Sequence, residues 1–273
     1  MNSLLDTPPF VNALVGDASI AYSGGLDSTT VAYLIAREGR HKVHLHTLDH
    51  GYGYPFNRWA RRTYKTLAKA VGQHQVSHQF VRTKDLFDMV AMRSIVADRK
   101  RYGQWFGCCL GCTMAVVSKM IVYNLRKGIP HILFGSSVGG EYAVMSKQVT
   151  VKLQQEFCAT YGIDYRAPLL ENNIVKEQER SLLDAAGIYR GIRFLDKHSF
   201  GNQGYCLLSL QHLPDVLFNV HPEYDSDLVE AFYRDKLPIC QDYIRSQFAA
   251  GGQNLDDAIT AMRERTGITG VSL

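Results

Sequence analysis

The 273-residue sequence lacks any run of about 18 to 20 uninterrupted apolar residues, the length a membrane-spanning helix needs. Its start, MNSLLDTPPFVNALVGDAS, lacks a basic leader, and Asp6, Pro8 and Pro9 stand where the apolar stretch of a secretion signal would lie. Internal repeats, low-complexity tracts and long polar linkers are also missing, so neither a solenoid nor a disordered tail is indicated. Neither sign of charge dominates: 30 Lys and Arg against 26 Asp and Glu leave a net +4. That balance permits contact with phosphates or nucleic acid but falls short of a dedicated nucleic-acid binder. With 46% hydrophobic and 21% charged residues, the chain has a globular composition and length enough for a substantial core. The expectation is a soluble cytoplasmic protein with no membrane partner. In a reducing compartment its six cysteines argue for no disulfide framework, and the three within five positions point to a metal or to redox chemistry.

Short β-branched runs alternate with helical patterns through the first two-thirds of the chain. Strands are expected at 18–22, 42–48, 76–81, 131–134 and 165–167, and helices at 28–38, 57–71, 85–96, 113–126, 147–161 and 176–186. This rhythm predicts an α/β fold with a doubly wound, mostly parallel sheet over residues 1–190. Gly201, Gly204 and Pro214 then break the pattern, and 191–273 is expected to be a mostly helical C-terminal extension, with helices near 225–249 and 255–265.

The sharpest local feature is Ser23-Gly24-Gly25-Leu26-Asp27-Ser28-Thr29-Thr30, directly after the first strand and opening the first long helix. Paired glycines let backbone N–H groups approach an anion, the helix N-terminus adds its dipole, and Ser23, Ser28 and Thr29 supply hydroxyls. A Walker A loop would need a Gly-Lys-Ser/Thr ending. Ala21-Tyr22-Ser23-Gly24-Gly25 is one residue from a nucleophile elbow, but an elbow follows several strands and this serine follows the first. A plain Gly-Gly turn explains the bend and not the density of hydroxyls. Polyphosphate binding is the reading these residues favour.

Ser23-Gly24-Gly25-Leu26-Asp27-Ser28 resembles the Ser-Gly-Gly-x-Asp-Ser signature of the PP-loop ATP pyrophosphatases at all five specified positions, and the likeness in strand–helix order covers roughly residues 17 to 190. Looser echoes are Leu48-Asp49-His50-Gly51, Phe134-Gly135-Ser136-Ser137, and Pro168-Leu169 followed by Lys176. The resemblance implies an enzyme that adenylates an acceptor, releases pyrophosphate and lets a nucleophile displace AMP. By it, Ser23, Gly24, Gly25, Asp27 and Ser28 hold the pyrophosphate portion of ATP, with Asp27 also catalytic. Leu48 and Asp49 lie near adenine and ribose, and Gly135 lets the nucleotide approach. Mg²⁺ is expected to bridge the phosphates. Glu141 is either a magnesium partner or a helix cap; the tight acidic pair of many relatives is missing here.

Gly107-Cys108-Cys109-Leu110-Gly111-Cys112 pairs Cys109 with Cys112 in a C-x-x-C spacing just before a helical run, while Cys108 points elsewhere. Cys206 can supply a third sulfur; Cys158 and Cys240 read as core. Three cysteines are too few for a closed zinc site and suit a [4Fe–4S] cluster with one iron open. This resembles the cluster-dependent branch that includes tRNA 2-thiocytidine synthetases. A thiol pair relaying a persulfide, and zinc with Cys108 or a histidine as fourth ligand, remain alternatives.

His41, His44 and His46 alternate along one strand and His74 and His78 border another, with no ligand company; His198 lies eight residues before Cys206. Arg58, Arg61, Arg62 and Lys65, with Trp59 and Tyr64, read as a solvated helix face. Arg93, Arg99, Lys100 and Arg101 are expected on a loop leading to the site. The expectation is ATP-dependent sulfur insertion into a carbonyl of a tRNA base or small molecule, with catalytic Cys109, Cys112 and Cys206 as cluster ligands, a separate sulfur donor and a homodimer as a possible assembly. The alternatives are an amide- or nitrile-forming ligase resembling 7-cyano-7-deazaguanine synthase with structural zinc, and a non-catalytic nucleotide-binding redox sensor.

Overall fold

The computed structural model describes residues 8–52, 57–103, 106–137, 144–188 and 223–269. A short helix α1 (Pro9–Asn12) leads into β1 (Ala18–Ala21), followed by α2 (Leu26–Ala36), β2 (Val43–Asp49), α3 (Asn57–Val71) and β3 (Val76–Arg82). Next come α4 (Lys84–Phe87), a π-helical turn (Asp88–Met92), α5 (Ile95–Tyr102), α6 (Gly107–Lys127) and β4 (His131–Leu133). A 3-10 turn (Val144–Ser146), α7 (Gln148–Ala159), β5 (Asp164–Arg166), α8 (Pro168–Glu171) and α9 (Lys176–Ala185) complete the sheet region, and α10 (Ser226–Ala250) and α11 (Leu255–Thr266) follow.

The five strands are all parallel, in the order β3-β2-β1-β4-β5. β1 is central and buried on both faces, which is why Ala18, Ser19 and Ile20 are small or apolar. One face packs α2, α3 and α9 through Val31, Ile35, Leu67, Leu182 and Leu183. The other packs α6, α7, α10 and α11 through Met114, Val117, Phe157, Phe232, Ile244 and Met262. The strand order reverses at β1, so the crevice outside the C-terminal ends of β1 and β4 is the place where an open α/β sheet takes its ligand.

α6 is long and apolar enough to cross a membrane by length and composition, yet 78% of its most apolar window is buried inside the protein, as a core helix requires. Three expectations change. The fourth long helix begins at Gly107, six residues before the expected start, so the cysteine cluster lies within it. Glycines argue against a helix there, but a Cβ on Gly111 would stand 2.8 Å from the Ala91 Cβ and one on Gly107 3.1 Å from the Phe232 ring: these glycines are packing contacts. The expected helix at 85–96 is interrupted by the π-turn, closed by Arg93 N–H donating to Asp88 O at 2.9 Å. Arg99, Lys100 and Arg101 form the last turn of α5, with no loop there. The break at Gly201, Gly204 and Pro214 and the boundary at 190 lie outside the described residues.

Candidate functional site

Ser23, Gly24 and Gly25 make the turn between β1 and α2. Gly24 has φ +75°, and a Cβ there would fall 2.5 Å from the Ala60 backbone of α3, so conformation and space both demand glycine. Ser23 Oγ accepts from the Gly25 N–H at 3.2 Å and lies 3.3 Å from Ser28 Oγ. Gly25 is the helix N-cap and offers no side-chain cap. The free N–H groups of the first turn and the positive end of the helix dipole therefore face the turn. From the other side of the switch point comes Gly135, where a Cβ would lie 2.5 Å from Ser28 N. The loop after β4 is thus seated directly on the start of α2, and the two loops form one cradle.

Asp27, in the first turn of α2, is the electrostatic hub. Lys176, at the start of α9, is ion-paired with Asp27 Oδ1, and Ser137 Oγ donates to Asp27 Oδ2 at 3.4 Å. One turn along α9, Glu179 is fully buried, 3.9 Å from the Lys176 ammonium. Burial, reinforced by the Asp27 charge, pushes its carboxyl up to about 9, so it is a neutral acid at pH 7. Position 27 was expected; Lys176 and Ser137 were visible only as echoes, and Glu179 was not anticipated. Its one signal is a carboxylate three and four residues before Leu182 and Leu183, on the apolar stripe of α9.

The register Ala21↔His46 carries Leu48 to the height of Ser23, and Leu48 and Asp49 are the last two residues of β2. Both flank the cradle at the sheet's C-terminal edge. Asp49 Oδ1 accepts from the Gly51 N–H at 2.9 Å, which shapes the turn leaving the strand. Lys84 lies across Gly51, 2.8 Å from where a Cβ would be. Its ammonium donates to Tyr52 Oη at 2.7 Å and Asp88 Oδ2 at 2.6 Å, and Tyr52 Oη donates to Asp88 Oδ1 at 2.7 Å. This satisfied Lys–Tyr–Asp clamp ties the β2 turn to the π-helix, and the Asp88 carboxylate and Tyr52 hydroxyl raise the Lys84 pKa.

Cys109 and Cys112 are three apart on α6, half-buried thiols on one helical face; Cys108 is buried and lines a small cleft with Tyr102, Phe106 and Phe232. The Asn124 carboxamide accepts from Ser19 Oγ at 2.6 Å and donates to His131 O at 3.0 Å, which pins the C-terminal part of α6 to the start of β1 and β4. α6 therefore runs against the strands. Cys112 is twelve residues back from Asn124, about 18 Å of helix, whereas Ser23 is about 13 Å of strand beyond Ser19. The cysteine pair is carried to the same sheet edge as the cradle, on the opposite face from α2. Cys206 and Glu141 lie outside the described residues, and among the described residues no group of three His, Cys, Asp or Glu is placed to hold a metal. Cys158 and Cys240 are buried in the core as expected, where burial pushes both thiols up.

No protein-family model and no curated protein matches the chain. Solved structures to which it is similar include the following three. The U34-tRNA thiolase NcsA from Methanococcus maripaludis, with its [4Fe–4S] cluster, is 13% identical over 84% of this chain and 74% of that one, TM-score 0.46. NMN synthetase from Francisella tularensis is 13% identical over 82% and 86%, TM-score 0.41. The predicted subunit of tRNA methyltransferase from Methanocaldococcus jannaschii is 15% identical over 63% and 74%, TM-score 0.41.

Among the described residues, His46 and His78 belong to packing. His46 is buried against Tyr123, with ring centroids 4.5 Å apart, and burial lowers its pKa to about 3. His78 lies between Tyr22, Tyr64 and Phe80, and burial lowers it to about 4. His198 lies outside the described residues, as do the side chains of Arg58 and Trp59. Arg61 stacks over the Phe80 ring at 5.2 Å, and Arg62 and Lys65 face solvent.

Proposed function

We propose that this chain is an ATP pyrophosphatase of the PP-loop type that adenylates an acceptor carbonyl and directs sulfur to the activated carbon. The observation that carries this reading is the cradle itself: Ser23–Ser28 at the end of the central strand, closed by Gly135 and with Lys176 beside Asp27. The backbone N–H groups and hydroxyls of the turn would bind the pyrophosphate portion of ATP, and Lys176 would move from Asp27 to neutralise charge gathering on the leaving group. The carbonyl oxygen attacks the α-phosphorus and the bond to pyrophosphate breaks. A sulfur nucleophile then adds to the carbon, and AMP departs with the original oxygen. Leu48 and Asp49 would flank adenine and ribose, and Mg²⁺ would be held chiefly by the phosphates.

Cys109 and Cys112, on one face of α6 at the site's edge, suit two corners of an iron–sulfur cluster, with Cys206 as the third ligand. A cluster bound there would supply the sulfur-carrying iron. The acceptor is a tRNA base or a small molecule bearing such a carbonyl, with a separate sulfur donor. We assign residues 1–190 to the catalytic domain and 191–273 to a helical extension, acting in the cytoplasm, where thiols stay reduced.

The test is anaerobic purification, metal and sulfide analysis, and assay of pyrophosphate and AMP from ATP with thiolation acceptors. About four irons per chain, lost in Cys109→Ala, with AMP and pyrophosphate in equal amounts and neither formed by Asp27→Asn, supports the reading. Stoichiometric zinc without iron would move the nucleophile to nitrogen and the reading to an amide- or nitrile-forming ligase. Nucleotide binding without pyrophosphate release would leave a redox sensor.

A further inference from the structure

Glu179 occupies a position where leucine would be the uncomplicated choice. It lies on the buried face of α9, in line with Leu182 and Leu183, with no exposed surface. Neither carboxyl oxygen makes a well-aligned hydrogen bond, although the Asp27 carboxylate from α2 and the Ser137 hydroxyl from the loop after β4 lie within interacting reach and Lys176 of its own helix stands 3.9 Å away. A buried, unsatisfied acid is costly, and a nearby cation already engaged with another carboxylate does not remove that cost. The charged groups facing Glu179 are Asp27 and Lys176, the two that border the phosphate cradle.

Resting on the reading of the cradle as a nucleotide phosphate site, we propose that Glu179 is a positioning residue that sets whether Lys176 can leave Asp27 for the incoming polyphosphate. As a neutral acid, Glu179 adds no charge, so Lys176 is balanced by Asp27 alone and transfers readily to a polyanion. Once ionised, Glu179 and Asp27 hold the ammonium between two carboxylates, and the cluster turns from neutral to net negative. That state repels phosphates and withholds their cation. The role differs from a packing role because an uncharged isostere should preserve it.

Two measurements on the full-length protein test this. The first is ATP binding by calorimetry from pH 6.5 to 9.8 for the wild type and Glu179→Gln. Wild-type affinity should fall above pH 9, approaching about tenfold per pH unit as one group ionises, whereas Glu179→Gln should keep neutral-pH affinity within about threefold and lack the alkaline fall. The second needs no ligand: the Tm of Glu179→Gln should exceed that of the wild type by a margin that widens between pH 4.5 and 9. Its sign follows from a carboxyl that keeps its proton in the fold to about 9 and loses it near the ordinary value when unfolded. If Glu179→Gln binds ATP with the same alkaline fall as the wild type, the positioning role is overturned and the nucleotide reading stands. If the Tm margin does not widen, Glu179 is not a buried neutral acid and the proposal fails on that ground alone. If the margin appears but the wild type binds no ATP at any pH, the nucleotide reading fails and the proposal falls with it.

Discussion

Gly135 and Lys176 show how single residues build this site from distant parts of the chain. A methyl group on Gly135 would meet Ser28 N at 2.5 Å, and backbone on both sides leaves no flexible side chain to yield. Gly135→Ala is therefore expected to cost about 1 to 3 kcal/mol in urea denaturation, as overpacking does, and to weaken ATP binding tenfold or more by calorimetry. Lys176 is the cation paired with Asp27 at the cradle. Lys176→Met should lower kcat for pyrophosphate release by about 10² to 10³, with a smaller change in KM for ATP, because its work is on charge that develops in the transition state. Equal kcat in the variant would remove Lys176 from the mechanism. The cradle's glycines and hydroxyls were readable because they are contiguous. Lys176 and Ser137 were not assigned, since their meaning depends on a partner more than a hundred positions earlier.

At the scale of the element, α6 is the instructive case. Gly107, Gly111 and the cysteines around them were expected to precede the helix, which was to start near Thr113. Instead the glycines admit Phe232 from α10 and Ala91 from the π-turn, and that packing outweighs the roughly 1 kcal/mol each glycine costs in a helix. Gly111→Val would drive a branched side chain into Ala91. It should destabilise the fold by about 1 to 3 kcal/mol, read from the urea midpoint, and reduce iron retention after anaerobic purification. Retained iron with a lowered midpoint would separate the packing role from the cysteine site. β1, β2 and β3 were legible within a residue or two, because β-branched runs bounded by glycine and polar turns mark them. The π-turn was not, since no local pattern distinguishes it from an ordinary helix until Ala91 meets Gly111.

For the whole molecule, one buried and one half-buried histidine dictate a pH dependence. His46 and His78 are held neutral, with pKa values lowered to about 3 and about 4 by burial, while in the unfolded chain each takes up a proton near 6.5. Their contribution to stability should be intact above pH 6.5 and decline as pH falls toward 4, because the unfolded state binds those protons first; it runs opposite to that of Glu179, which weakens the fold as pH rises from about 4.5 to about 9. The difference in urea midpoint between the wild type and His46→Phe isolates the histidine from Glu179, and it should shift in favour of the variant on going from pH 7.5 to 5.0; an unchanged difference would assign the effect to other groups. α10 places Phe232, Tyr233, Ile244 and Phe248 in the same core as α6 and α7. Deleting residues 223–273 is expected to expose that core, seen as lost near-ultraviolet circular dichroism and gained hydrophobic-dye binding.

Local windows of residues encode the alternation of strand and helix, the phosphate-type turn and the C-x-x-C spacing, because periodicity, glycine conformation and helix-end dipoles act over a few residues. Folding settled what such windows cannot hold. It placed Gly135 against Ser28, brought Lys176 and Glu179 to Asp27, and drew the cysteines into a helix that starts at the cradle's edge. Such contacts join residues far apart in the chain, and the burial that comes with them is the largest reason that Glu179 is a neutral acid and His46 a neutral base.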